Sequence, residues 1–145
     1  MRVPIVSVTR LHLASRWNFP QFIFYSLRSI AQARRSGGYM GGWTSNDGEN
    51  GFWTSTVWES LDAMRAFRNS GAHLRAMPKL LHWCDQAAFT HFEQGGTEAP
   101  TPDAAYERLL RDGKMSKVNA PSAQHLAGET VGRSKPRPPQ RWAPK

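Results

Sequence analysis

The chain has 145 residues, one cysteine, 39% apolar residues and a formal net charge of +8. This length fits one domain, and a single cysteine excludes an intramolecular disulfide framework and is typical of a reducing compartment such as the cytoplasm. No apolar run approaches the roughly 18 residues that a membrane-spanning helix needs, and the first residues are not typical of a secretory signal.

The positive charge is concentrated at the C-terminal end. Residues 114–145 hold seven Lys or Arg residues and one acid, Glu129, and therefore carry +6 of the net charge. The segment ends in the proline-rich sequence SKPRPPQRWAPK and has few apolar residues. Such a composition cannot bury a core and predicts a disordered tail. A basic tail is able to contact nucleic acid or an anionic membrane without specificity, but the nearly neutral body gives no reason to expect specific nucleic-acid binding.

The first half of the chain predicts one strand, one helix and a hairpin. Residues 4–13 alternate between two faces and are rich in β-branched side chains, which is typical of a strand. Asn18 and Pro20 mark the start of a helix whose apolar period continues until Gly37-Gly38 ends it. Two further strands, 39–45 and 52–59, flank turn signals rich in Asn and Gly, which predicts an antiparallel hairpin.

The second half predicts a broken helix, a fourth strand and a short last helix. Ser60 is the expected cap of a helix that Asn69-Ser70-Gly71 interrupts and that continues to Cys84. Residues 86–93 alternate as a strand. Thr101 and Pro102 begin a short amphipathic helix that stops near Gly113. The expected organisation is therefore a domain over residues 1–95, a short helix within residues 96–113 and the tail, residues 114–145.

The order βαββαβ predicts an α+β, ferredoxin-like fold, with a four-stranded antiparallel sheet and two helices on one face. The other sheet face carries bulky residues, and leaving it exposed would be costly. A second copy of the chain is the expected cover, which predicts a homodimer packed sheet against sheet.

From Ile5 to Glu93 the chain resembles the dimeric α+β barrel superfamily, which includes antibiotic-biosynthesis monooxygenases and heme-degrading monooxygenases. The segments SLRSIAQARRSGGYMGGW (Ser26–Trp43) and FWTSTVWESLDAMRAFRNSGAHLRAM (Phe52–Met77) are more similar still to small bacterial proteins related to spheroidene monooxygenase. The resemblance covers about two thirds of the chain and excludes the tail. It implies an oxygenase-like activity and a dimer, although proteins of one fold differ in function.

His73 is the sharpest single candidate for chemistry. It opens the second helical segment and lies on the stripe that faces the sheet. A helix N-terminus disfavours the imidazolium, so the ring tends to be neutral, and a neutral imidazole either ligates heme iron or acts as a base. Heme-binding members of the superfamily use a histidine on this helix, which implies the ligand role for His73. A buried structural histidine is the alternative.

Two arginines are candidates for holding an anion. Arg10 lies on the first strand, where it would stabilise an enolate or carboxylate or else lie at the solvent edge. Heme-degrading members carry an asparagine on this strand and the present chain has none, which counts against that activity. Arg68 flanks the helix break and would meet an anionic group such as a propionate of heme, with a solvated helical face as the default.

Large apolar side chains predict the wall of a cleft between helix and sheet. Trp53 and Trp58 lie on opposite faces of the third strand, so only one of them can line this cleft. We group Trp58 with the catalytic candidates and Trp53 with the cleft wall, with core packing as the alternative for both. The remaining expected wall residues are Phe22, Met64 and Met77.

Two classes of function remain open. The first is a monooxygenase-like enzyme that acts on an apolar or aromatic small molecule, either with heme held by His73 or with no cofactor. The second is a non-catalytic dimeric module that binds a small ligand or serves as a scaffold. No metal site is expected, because the histidines lack a ligand spacing and the chain has no CxxC motif.

Overall fold

The computed structural model describes residues 3–145, so Met1 and Arg2, the first residues of the predicted 1–95 domain, lie outside the described residues. The chain forms, in order, β1 (Ile5–Leu13), a 3₁₀ turn (Arg16–Asn18), α1 (Phe19–Arg35), β2 (Tyr39–Asn46), β3 (Gly51–Trp58), α2 (Leu61–Arg68), α3 (Gly71–Trp83), β4 (Cys84–Glu93), α4 (Pro102–Asp112), β5 (Lys114–Met115), α5 (Ala123–Leu126) and β6 (Gln140–Trp142).

All strands belong to one antiparallel sheet with the order β5-β4-β1-β3-β2-β6. The predicted α+β class and the antiparallel sheet are confirmed. The predicted number of four strands is wrong, because β5 and β6 pair with the outer edges of β4 and β2 and raise the number to six. Both added strands come from the C-terminal segment, whose composition predicted disorder.

The helical layer on one face of the sheet is formed where the sequence placed it. The side chain of Ser60 accepts a hydrogen bond from the Ala63 N–H at 3.1 Å and caps α2, which satisfies one of the free donors of the first turn. A backbone φ of +59° at Gly71 then turns the chain between α2 and α3. This left-handed conformation is readily adopted by glycine and explains the break between the two helices.

The second face of the sheet is covered by α4 of the same chain. Ala105 and Leu109 of α4 are fully buried against Val6, Trp43 and Trp53. The Trp43 indole N–H also donates to the carbonyl oxygen of Pro100, just before α4, at 2.8 Å. The face that suggested a second copy is therefore already buried within one chain, and a sheet-against-sheet homodimer would require α4 to leave it.

The predicted disorder of residues 114–145 is corrected by this arrangement, because the segment is tied to the body at many points. Thr130 Oγ1 donates to the Leu109 carbonyl oxygen at 2.8 Å, and the Glu129 carbonyl oxygen accepts from Gln86 Nε2 at 2.7 Å. At the far end, Trp142 Nε1 donates to Thr44 Oγ1 at 2.9 Å. A few widely spaced residues hold the segment against the body. Its average composition therefore does not predict that it is ordered.

Among the described residues, every helix is too short or too polar to cross a bilayer.

Candidate functional site

A cleft of about 790 Å³ lies between the helical layer and the sheet. This volume falls within the range of small-molecule sites, roughly 300–1,000 Å³. Its floor includes small hydroxyl side chains from the central strands, and its roof is apolar. The floor residues are Ser7, Thr9, Leu11, Thr54 and Thr56, and the roof includes Phe22, Ile23, Ala76, Met77 and Leu80.

One end of the cleft is built from a series of aromatic rings. The Trp58 and Phe67 rings stack with their centres 5.0 Å apart, and the Phe67 ring centre lies 4.8 Å from that of His73. Tyr39 packs edge-on against Trp58 at 5.3 Å. Trp58 is fully buried and its indole N–H donates to Thr56 Oγ1 at 2.9 Å. Phe67 therefore restricts the position of the His73 ring, and Phe67 is in turn held by Trp58.

His73 lines the cleft at this aromatic end. Its ring Nδ1 lies 3.2 Å from the carbonyl oxygen of Arg68. A carbonyl oxygen only accepts, so Nδ1 carries the hydrogen and the lone pair is on Nε2. Burial lowers the pKa of His73 below its ordinary value and the nearby Arg68 cation lowers it further, while the bond to the Arg68 carbonyl opposes these effects. The ring is therefore a neutral imidazole with an available Nε2.

His91 and Arg68 line the same cleft. Burial lowers the pKa of His91, and the charges of Arg68, Arg65 and Lys114 lower it further. Within residues 3–145, the buried Nε of Arg68 has no hydrogen-bond partner. The cleft thus combines two histidines of lowered pKa with the positive charge of a guanidinium.

Gln32 of α1 fixes the junction from which His73 projects. Its Nε2 donates to the carbonyl oxygens of Phe67 and Ser70 at 3.1 and 2.9 Å, and its Oε1 accepts from the His73 backbone N–H at 2.9 Å. Gln32 was not among the site residues predicted from the sequence. Its only signal is a polar side chain next to Ala33, on the inner side of an amphipathic helix.

Arg10 is not part of the cleft, which corrects its expected placement. The even-numbered side chains of β1 point to the opposite sheet face, where Arg10 is 2% exposed. Its Nε donates to Asp47 Oδ2 at 2.9 Å and its Nη1 donates to Gln86 Oε1 at 3.1 Å. Burial alone would raise the pKa of Asp47, but the hydrogen bond from the Glu49 N–H and the Arg10 cation outweigh it and leave that pKa below its ordinary value.

The two tryptophans of β3 divide as their alternation predicts. Trp58 faces the cleft. Trp53 borders it, but its indole donates to Asp47 Oδ2 at 3.2 Å and its ring packs against Tyr106 of α4 on the opposite face. The remaining expected wall residues, Phe22, Met64 and Met77, all line the cleft.

The C-terminal segment supplies cleft residues that the sequence analysis did not identify. Val118 lines one part of the cleft, and Pro138 and Trp142 line another. Trp142 is held by the Tyr39 hydroxyl, which donates to its carbonyl oxygen at 2.7 Å, and by the Arg34 guanidinium, which lies 5.9 Å from its ring centre. The basic segment therefore forms part of the cleft wall.

Comparison with known proteins gives a fold but no family. No family profile and no curated protein sequence matches this chain. Among solved structures, SnoaB, a cofactor-independent oxygenase from Streptomyces nogalater, is 16% identical with a TM-score of 0.53 and covers 64% of this chain and 94% of its own. A candidate antibiotic biosynthesis monooxygenase from Nitrosomonas europaea is 12% identical with a TM-score of 0.53, covering 66% and 92%.

A conserved protein from Methanosarcina mazei Go1 is also similar, at 10% identity and a TM-score of 0.58, and covers 64% of this chain and 94% of its own. Identities this low show a shared fold alone. About a third of the present chain lies outside each of these three matches. The chain thus has the fold of these three proteins, extended by a further segment.

Proposed function

We propose that this protein is a cofactor-independent monooxygenase acting on an apolar, conjugated or aromatic small molecule in the cleft. The observation that carries the proposal is the convergence of His73, His91 and Arg68 on a largely apolar cavity. A cavity lined by apolar and aromatic groups with a few polar ones is the usual form of a small-molecule site.

The proposed chemistry begins with proton transfer to His73. Nε2 would accept a proton from an acidic C–H or O–H group of the substrate, and the positive charge of Arg68 would stabilise the resulting anion. The electron-rich anion then reduces dioxygen. In a conversion of CH₂ to C=O, one oxygen atom enters the substrate and the other leaves as water with the two hydrogens, so the reaction needs no other reductant.

Two likenesses support this proposal. SnoaB has this fold and is described as a cofactor-independent oxygenase. The resemblance of Ser26–Trp43 and Phe52–Met77 to proteins related to spheroidene monooxygenase implies a conjugated, apolar substrate, which matches the apolar roof of the cleft.

The test is oxygen consumption with a panel of aromatic ketones that carry an acidic methylene group. The wild type should consume oxygen with at least one member, and His73→Ala should reduce the rate about 100-fold or more, as expected for loss of a general base. His82→Ala is the matched control, because His82 is an exposed histidine of the same helix bonded to Asn119. A panel member that binds in the cleft without oxygen uptake would instead favour the non-catalytic ligand-binding module.

Heme is the second candidate, and the donor set fits it. His73 Nε2 would ligate the iron while Nδ1 is held by the Arg68 carbonyl, the usual second interaction of a ligating histidine, and the Arg68 guanidinium would pair with a propionate. Bound heme would supply oxygen activation at iron. A hemin titration in which one equivalent gives a sharp Soret band, lost in His73→Ala and kept in His82→Ala, would replace the cofactor-free proposal with this one.

A further inference from the structure

An apolar patch lies on the outer side of the helical layer. Trp17 of the 3₁₀ turn is 82% exposed, and Phe24 and Leu27 of α1 are 55% and 51% exposed. Phe19 and Leu74 are further exposed apolar residues of α1 and α3, at 44% and 47%. Single exposed apolar side chains are ordinary, but a group of large ones on one side of a molecule marks an interaction surface.

Cations surround this patch and acids are missing from the elements that form it. The sequence from residue 3 to residue 46 contains no Asp or Glu, and neither does α3. The Arg16 guanidinium lies 5.9 Å from the centre of the Trp17 ring, and that of Arg28 lies 5.5 Å from the Phe24 ring. The other exposed cations of α1 and α3 are Arg35, Arg75 and Lys79. The exposed rings of Trp17 and Phe24 therefore each have an arginine side chain beside them.

The patch also borders two apolar cavities. A groove of about 380 Å³ beside Trp17 is lined in part by Leu13, Phe19 and Phe52. Phe19 and Leu27 also line the large cleft.

We propose that the outer face of α1 and α3 docks on an anionic lipid bilayer. Trp17, Phe24 and Leu27 would enter the boundary between headgroups and acyl chains, while the arginines meet the lipid phosphates, as in interfacial amphipathic helices. Two copies of this face would bring like charges together, which disfavours a second chain as the occupant. A nucleic-acid backbone would leave the exposed leucines without a partner. The proposal does not rest on the proposed function, because docking requires no turnover.

The test is sedimentation of the full chain with vesicles of phosphatidylcholine, with and without phosphatidylglycerol. We expect binding to the anionic vesicles alone, and loss of binding near 1 M salt, where the screening length falls to about 3 Å. The double variant Arg16→Ser/Trp17→Ser should need at least about tenfold more lipid for half-binding. The matched control is Leu110→Ser/Arg111→Ser on α4, where Leu110 is 53% exposed and the Arg111 side chain 67% exposed; its binding should be unchanged.

A second pair of substitutions, Phe24→Ser/Arg28→Ser, tests the same surface independently of the 3₁₀ turn and should weaken binding similarly. The proposal is overturned if neutral vesicles bind equally well, or if the α4 control loses as much affinity as the two patch variants. It is also overturned if the wild type is a dimer without vesicles and both patch variants are monomers, because the patch would then bind a second copy.

Discussion

Gln32 and His73 are joined by a hydrogen bond between Gln32 Oε1 and the His73 backbone N–H, 2.9 Å long. This bond links α1 to the first turn of α3, at the residue whose ring lines the cleft. The same amide also holds the carbonyl oxygens of Phe67 and Ser70. The first helix therefore helps to set the position of the proposed base on the third.

Replacing Gln32 by Met should remove these bonds while keeping a side chain of similar length. Unsatisfied polar groups cost about 1–3 kcal/mol each when buried, so we expect the free energy of unfolding to fall by about 2 kcal/mol. Urea denaturation measures this change. Gln21→Met, at an exposed position of the same helix, should have almost no effect, and equal losses in the two variants would contradict the role of Gln32.

Gly71 should not tolerate a side chain. Its φ of +59° disfavours other residues, and a Cβ there would lie 2.9 Å from Gln32 Cδ. Gly71→Ala should therefore cost about 1–3 kcal/mol and lower turnover by displacing the first turn of α3. Gly37→Ala is the comparison, because a Cβ at Gly37 meets no atom within 4 Å. Thermal unfolding of both variants, with turnover measured on the folded protein, distinguishes the two positions.

Arg10 and Asp47 should contribute to stability but not to turnover. Both are almost completely buried, and breaking such a pair leaves an uncompensated charge that costs about 3–5 kcal/mol. Asp47→Asn should lower the free energy of unfolding by that order, whereas Asp103→Asn, at a side chain that is 76% exposed, should change it little. Turnover per folded molecule should stay unchanged in Asp47→Asn.

The pH dependence of this pair has a defined sign. The pKa of Asp47 is lower in the folded protein than its ordinary value of 3.8. Its contribution is therefore complete above about pH 4 and is lost as the pH falls through the lowered folded pKa. In Asp47→Asn the free energy of unfolding should depend less on pH below about pH 4 than in the wild type. An unchanged dependence would contradict the contribution of Asp47.

The two histidines of the cleft make the free energy of unfolding depend on pH in a different range. Both His73 and His91 have folded pKa values below the ordinary 6.5. The unfolded chain therefore takes up protons first as the pH falls, and stability declines below about pH 6.5. Turnover should decline only at a pH below the ordinary histidine value, because burial lowers the pKa of His73 in the folded protein. Stability measured in His91→Gln should fall less steeply below about pH 6.5 than in the wild type.

Helix α4 should determine whether the second face of the sheet is available to another chain. Leu109 is 0% exposed and its neighbour Leu110 is 53% exposed. Leu109→Asp should destabilise the protein by several kcal/mol and expose the face, whereas Leu110→Asp should be neutral. Sedimentation of the wild type should give no sheet-against-sheet dimer. The predicted homodimer remains a prediction, and a stable dimer lost only on substitution at Val6 or Trp53 would contradict the burial of this face by α4.

The sequence predicted most of the order of elements because local signals carry it. Alternation over residues 4–13, the Ser60 cap and the break at Gly71 all correspond to features of the structure. The sequence did not predict the features that depend on contacts between residues far apart in the chain. Asp47 lies in the turn predicted between residues 45 and 52, and nothing in that local pattern indicates that its carboxylate binds Arg10 of β1. Likewise, the segment after Lys114 is polar on average, but Trp142 and a few hydrogen bonds are enough to place it.

The candidate site was predicted in part for the same reason. Helical periodicity brought His73 and Met77 to the cleft, and strand alternation separated Trp58 from Trp53. Alternation alone could not tell which face of β1 meets the helices, so Arg10 was assigned to the cleft although it lies on the other face. Gln32 and Trp142 give no local signal of their contacts with α3 and β2.

Whether His73 starts an oxygen insertion in the cleft is tested most directly by mass spectrometry of product formed under ¹⁸O₂ from a panel substrate. We expect one labelled oxygen atom per product molecule with the wild type and with His82→Ala, and loss of labelled product with His73→Ala. Product without label, or equal labelled product from all three proteins, would contradict this role of His73.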